Sequence, residues 1–386
     1  MSSKDIKKKL VQILGIIIYL LAFVALGYFI AFLSNSKTEL VDRRDGGFIF
    51  LVSVALSFYL HIIIHEGGHF LFGKLTGYRL TSFRIGSITI MKEEDKIKLK
   101  RFSIAGTGGQ CLMEPPEYKE DKFPFILYNL GGGLLNIIFS IIAIIIYLIF
   151  SNMPYLLEIL LSFSGIGIIL GLMNIIPLKI AGAANDGYNI IFLKKNKDAR
   201  YAFYRQLKIN ALLARGARIK DMPKEWFELS EGADINNPII ASVACMMGSY
   251  YQDNKDFQRS KEEFDYVLEN SNNLLGIYKN EIECELLFYE IIGDRNIDKI
   301  NKLFTKELKK YIKASKHSLS KKRLLYAYEL LINKDENTAK KYLDEFEKIA
   351  KTYPYKGEVE GERELISFVK QNNEEIFNKS NDSISI

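Results

Sequence analysis

The stretch His61-Ile62-Ile63-Ile64-His65-Glu66-Gly67-Gly68-His69 lies inside a largely apolar run from Phe48 to Phe72. The chain has only four histidines, and three of them fall within this stretch. His65 and His69 are four positions apart, so on a helix both imidazoles project from one face and can share a tetrahedral cation. Glu66 stands beside them, placed to take a proton from water. A run of this length matches the roughly 20 apolar residues that a helix needs to cross a hydrocarbon core about 30 Å thick. Two imidazoles and a carboxylate carried into a bilayer cost on the order of several kcal/mol unless they line a wet cavity, pair, or bind a cation. The setting therefore turns a short motif into a candidate metal site. His61, one turn away on nearly the same face, reads either as a further ligand or as a packing histidine behind the ligands.

Outward from this stretch the chain divides. Its 386 residues are 48% hydrophobic and 25% charged, and the mean hydropathy of +0.01 conceals an apolar half before about position 193 and a charged half after it. That asymmetry excludes both a uniform soluble globule and a membrane protein spanning along its whole length. Four runs are long enough to cross a bilayer: 10–33, 48–72, 123–150 and 155–176. The first follows Lys4, Lys7, Lys8 and Lys9, but it exceeds the 7 to 15 apolar residues of a signal peptide and reads as an uncleaved anchor. Basic residues concentrate before the first run, in 73–122 and in 178–200, whereas the opposite side has only Lys37, Arg43 and Arg44. Both termini are thus expected in the cytoplasm of a multi-pass protein of the cell membrane. Lysine outnumbers arginine about threefold, as in AT-rich bacterial genomes.

Three cysteines at 111, 245 and 284, without paired spacing, exclude a disulfide framework and a Cys-x-x-Cys zinc site. A net charge of +6 spread over 52 basic and 46 acidic residues indicates no nucleic-acid partner. Between the second and third runs, alternating and β-branched residues at 81–90 and 96–104 flank the polar Lys92-Glu93-Glu94-Asp95-Lys96, which predicts a small β-hairpin over about 81–104. The glycine-rich 105–110 that follows cannot be helical.

The expected organisation is a cytoplasmic segment 1–9, a transmembrane domain 10–199, a cytoplasmic α-helical domain 200–371 and a flexible tail 372–386. In the helical domain, Ala244, Gly248, Tyr251 and Phe264, and again Ala327, Ala339 and Tyr353-Pro354, fall at tetratricopeptide-like spacings, although Ser260 occupies the second small position. True repeats and a generic helical bundle both fit. Nothing there points to catalysis; a protein partner is the natural role, and His317, in a Lys/Ser stretch, is expected to be exposed.

A catalytic zinc needs a third protein ligand and an open position. Any acid on the cytoplasmic side of another span could provide it. One candidate stands out: Asn174-Ile175-Ile176-Pro177 ends the fourth run, and Asn185-Asp186-Gly187 follows after a small-residue stretch. An Asn-Asp-Gly alone is a turn signal.

Over residues 47–193, these elements together resemble the site-2 protease family of zinc metalloproteases that cut within the membrane. The resemblance rests on His65-Glu66-x-x-His69, on Asn174-x-x-Pro177 with Asp186-Gly187, and on Gly131-Gly132-Gly133-Leu134-Leu135-Asn136 between them. It departs from the family's Gly-Pro-x-x-Asn at Gly133, and the gap from Pro177 to Asp186 is longer than in the shortest family members. The resemblance implies a zinc ion held by His65, His69 and Asp186, with Asn136 and Asn174 near the substrate and the hairpin as a membrane-associated β element presenting an edge to it. Glu66 would act as general base on a membrane-anchored protein or peptide, with the product released toward the cytosol. Two other classes are open on sequence alone: a membrane-tethered helical scaffold with a structural or vestigial metal site, and an ion pathway lined by His61, His65 and Asp186.

Overall fold

The computed structural model describes residues 43–93, 96–101, 107–119, 122–150, 154–180 and 183–382. The expected first span, 10–33, and the segment 1–9 lie outside them. The described chain falls into two compact units, one comprising Gly108–Lys197 with the chain up to Ile85, the other Gly86–Thr107 with Asp198 onward.

In chain order, the first unit contains α1 (Arg43–Leu75) and β1 (Arg79–Ile85), and the second unit then takes β2 (Ile88–Glu93) and β3 (Lys96–Arg101). The first unit resumes with β4 (Gly109–Glu114), α2 (Phe125–Ile149), α3 (Pro154–Ile175), β5 (Lys179–Ile180), β6 (Ala183–Ala184) and α4 (Asp186–Lys195). Among the described residues three helices are long and apolar enough to cross a membrane, over Phe48–Leu75, Phe125–Ile149 and Tyr155–Ile175. At about 1.5 Å per residue each exceeds the hydrocarbon thickness. Their outer faces stay apolar and exposed, as at Leu56, Phe58, Ile141 and Ile145, which is how a helix facing lipid differs from one facing water.

The three helices pack closely because their contacts are lined with small residues, which let backbones approach where lipid supplies no hydrophobic drive. At the α1–α2 crossing, a side chain on Gly68 would meet the Gly131 carbonyl oxygen at 2.1 Å, and one on Gly131 would meet that of Gly68 at 2.5 Å. Only glycine fits on either side. His61 is completely buried here. Its Nδ1 lies 3.1 Å from the Asn136 amide oxygen and its Nε2 donates to the Phe163 carbonyl at 2.9 Å, tying α1 to α2 and α3.

β1 pairs antiparallel with β4, in register from Ile85 opposite Gly109 to Arg79 opposite Glu114, with an irregularity at Leu80–Ser82. The expected hairpin forms between β2 and β3, with Glu93 opposite Lys96. It is shorter than 81–104: the first run breaks at Gly86-Ser87, where Gly86 adopts a φ of 57° that favours glycine. β4 is a further strand that begins at the end of the glycine-rich 105–110, expected not to be helical.

The second unit adds α5 (Lys197–Ala214), two short 3₁₀ turns, and then α6 (Pro238–Asp253), α7 (Phe257–Asn270), α8 (Gly276–Ile292), α9 (Ile297–Leu303), α10 (Lys306–Ala314), α11 (Leu319–Tyr328), α12 (Glu336–Ala350) and α13 (Lys356–Asp382). Side-chain caps start many of these helices, as where Asp256 accepts from the Arg259 N–H and Asp335 from that of Thr338. Gly248 of α6 lies directly against the Phe264 ring of α7, and Ser260 donates to the Gly248 carbonyl at 2.7 Å, so the two helices form a tight pair. The core centres on Phe288, Leu287, Phe346, Val267 and Leu331. Arg323 is buried among them, bonded to Glu362 at 2.6 Å and to both carboxylate oxygens of Glu285, with its guanidinium over the Phe288 ring. α13 continues to Asp382, into the segment expected to be a flexible tail.

Candidate metal centre

α1 carries His65 and His69 one turn apart, and their Nε2 atoms face each other at 3.1 Å. The third group arrives from α4. Asp186 is its first residue, and its Oδ2 lies 3.4 Å from His65 Nε2 and 3.5 Å from His69 Nε2. These three side chains form the cluster of potential metal donors found among the described residues.

Asp186 reaches this position through the residue before it. Asn185 caps α4 by accepting the Tyr188 N–H at 2.9 Å, and the same oxygen accepts the Leu178 N–H at 3.0 Å. Its amide nitrogen donates to the Met173 and Ile176 carbonyls, both at 2.6 Å, so one side chain stitches the end of α3 to the start of α4. The pairing of Lys179–Ile180 with Ala183–Ala184 closes the long gap after Pro177 as a small hairpin, which returns the chain to α1.

The histidines are held from behind. The His69 Nδ1–H donates to the Tyr128 carbonyl at 2.7 Å, leaving its Nε2 as the lone-pair nitrogen that faces the cluster. Tyr128 in turn stacks on Tyr78 at 4.6 Å and donates its hydroxyl to the Cys111 carbonyl at 3.0 Å, linking α2 to β4. His65 lies against Gly132, where any side chain would come within 2.4 Å of its ring. Glu66 lies against β4: a side chain on Gly109 would meet its Cγ at 2.6 Å and its Oε1 at 2.7 Å, and the Cys111 N–H hydrogen-bonds its carboxylate.

The donor set suits a small divalent cation. Three atoms at separations of 3.1, 3.4 and 3.5 Å match the roughly 3.3 Å edge of a tetrahedron around zinc with bonds of about 2.0 Å. Asp186 Oδ2 is buried without a hydrogen-bond partner, an arrangement that a cation would relieve. Burial by itself raises the Asp186 carboxyl, but the facing imidazoles outweigh it and hold the group below the usual carboxylate range.

Of the residues singled out by sequence, His65, His69 and Asp186 come together, with Glu66 beside them. Asn136 does not join them; it is fully buried against His61. Asn174 donates to the Leu170 carbonyl of its own helix at 3.0 Å. Sequence reasoning took Asn185 only as part of a turn, without its capping role, and missed Tyr128 and Gly109. The first had a signal, since an asparagine just before a helix is a cap. The other two act through approaches between distant segments that no local pattern encodes.

Residues 53–161 match the model of peptidase family M50, the site-2 protease family. The matched segment runs from within α1 into α3 and includes His65, Glu66 and His69 but not Asp186. No curated protein and no solved structure matches the chain.

Proposed function

We propose, with the family M50 match over residues 53–161 as the premise, that the chain is an intramembrane zinc metalloprotease that hydrolyses a peptide bond in or near a transmembrane segment of a membrane-anchored protein or peptide. At the level of the family, that match supports a site-2 protease-like metalloprotease. The observation that carries the finer reading is the approach of Asp186 to within 3.5 Å of both imidazoles, from a helix more than a hundred residues downstream.

In this reading His65, His69 and Asp186 hold the cation. Bound there, zinc would supply Lewis acidity toward the scissile carbonyl and make water acidic enough to ionise near pH 7. Glu66 takes the proton of the attacking water on its carboxylate and passes it to the departing amine nitrogen. The Gly109 backbone and the Cys111 N–H orient that carboxylate. The substrate reaches the site in extended form, because a carbonyl in an intact helix is already bonded and shielded. The concentration of Lys and Arg in 73–122 and 178–200 supports a cytoplasmic position for this end of the helices and for the released product.

The test is Glu66→Gln in purified protein reconstituted with a membrane-anchored substrate. Turnover should fall by about 10² to 10⁴, the usual worth of general acid–base catalysis, with bound zinc unchanged by elemental analysis. Cleavage at the wild-type rate would remove Glu66 from the mechanism.

A further inference from the structure

The second unit contains a cavity of about 560 Å³ whose lining is strongly one-signed: Arg101, Lys316, Lys322 and Lys348 face it, together with His317. Among the described residues the sole carboxylate in that lining is Glu345, and Lys322 engages it at 2.5 Å. Three formal positive charges are left in a concave space. Like charges gathered in a cleft repel one another and focus a positive potential, so the arrangement is satisfied by an anion. The volume sits within the roughly 300 to 1,000 Å³ of organic-ligand sites, far more than a bare phosphate fills.

The hairpin indicates what the rest of the ligand is. Arg101 of β3 stands opposite Ile88 of β2, and Ile90 stands opposite Leu99. Directly paired residues project from the same face, as do residues two apart along a strand. An apolar row of Ile88, Ile90 and Leu99 thus begins beside the arginine at the cavity, and these residues are 53%, 38% and 72% exposed. A basic cavity continuous with an exposed apolar row matches an amphipathic anion.

We propose that this cavity binds a phosphate-bearing anion, the headgroup of an anionic phospholipid, with its acyl chains against the Ile88–Leu99 face. Guanidinium and ammonium groups are the usual partners of phosphate oxygens, and clusters of basic residues close to a bilayer recognise anionic headgroups. The site is separate from His65, His69 and Asp186 and does not depend on proteolytic activity.

The experiment uses the full chain in detergent, titrated separately with short-chain phosphatidylglycerol, short-chain phosphatidylcholine and inorganic phosphate, with retained ligand read by native mass spectrometry. Phosphatidylglycerol should bind at least about tenfold more tightly than phosphatidylcholine. It should lose at least about tenfold in the double variant Lys316→Glu/Lys348→Glu, on the scale of about 1 kcal/mol per basic residue near an anionic surface. A control carrying Lys310→Glu and Lys340→Glu makes the same charge change at exposed positions outside the lining and should bind as the wild type does. Unchanged melting of the fluorescence of Trp226, the only tryptophan, shows that the double variant is folded. Inorganic phosphate that displaces phosphatidylglycerol and binds equally well alone would support the phosphate site while assigning it to a free anion. Equal affinity for the two lipids, or undiminished phosphatidylglycerol binding by the double variant, would overturn the proposal.

Discussion

Two glycines at the cluster make opposite predictions, because each lies against a different functional side chain. Gly132 faces the His65 ring, with a Cβ position 2.4 to 2.7 Å from three ring atoms. Gly132→Ala must therefore rotate the imidazole. Displacing a ligand's support typically costs 10 to 100-fold in metal affinity, so chelator competition should show a loss on that order. Gly109 instead touches Glu66 and none of the proposed ligands. Gly109→Ala should keep its zinc and lose about 10²-fold in turnover, the usual effect of misplacing a catalytic group by about 1 Å. Parallel loss of zinc in that variant would show that β4 supports the ligands rather than the base.

At the scale of elements, α4 is short and its position depends on its cap. Asn185 makes four hydrogen bonds that join α3, the small β5–β6 hairpin and the first turn of α4. Asn185→Ala removes an N-cap, worth about 1 kcal/mol, and at the same time frees the segment that carries Asp186. The expected result is at least about tenfold weaker zinc binding with normal membrane insertion, checked by equilibrium dialysis against zinc and by fractionation. Asn185→Asp retains the accepting oxygens but not the two donated bonds, so it should fall between wild type and alanine. The crossing of α1 and α2 is equally constrained, since Gly68 and Gly131 leave no room for a methyl group on either side. That crossing brings His69 against the carbonyl of Tyr128.

On the scale of the whole molecule, the two units are stabilised by different chemistry. The first relies on small-residue packing in an apolar setting. The second buries charged groups such as Arg323, and a carboxylate beside its cavity makes its stability depend on pH. Glu358 reaches solvent through a neighbouring cavity, yet burial, aided by the nearby Glu362 and Glu281 and partly offset by the Tyr353 hydroxyl, pushes its carboxyl from 4.5 up to about 7. A raised carboxyl binds its proton more tightly in the folded than in the unfolded chain. Its stabilising contribution is complete below about pH 4.5 and is lost as the pH rises through 7. The melting temperature read from Trp226 fluorescence should therefore decline between pH 5 and 8, and Glu358→Gln should flatten that decline. An equal slope in the variant would assign the dependence to other groups.

The three apolar runs within 48–176, the shared helix face of His65 and His69, the adjoining Glu66 and the helical character after residue 200 were all legible in the sequence, because each is expressed by local hydropathy or by the 3.6-residue period. The hairpin was legible in kind but not in length, since the positive φ at Gly86 breaks its first strand. Tertiary structure alone decided that Asp186 arrives between the imidazoles, that Asn136 spends its amide on His61, and that Gly109 bears on Glu66. Such approaches join segments far apart in the chain. They depend on how closely glycine-lined helices cross and on how one asparagine folds a loop back, and neither property is written in the period of any single segment.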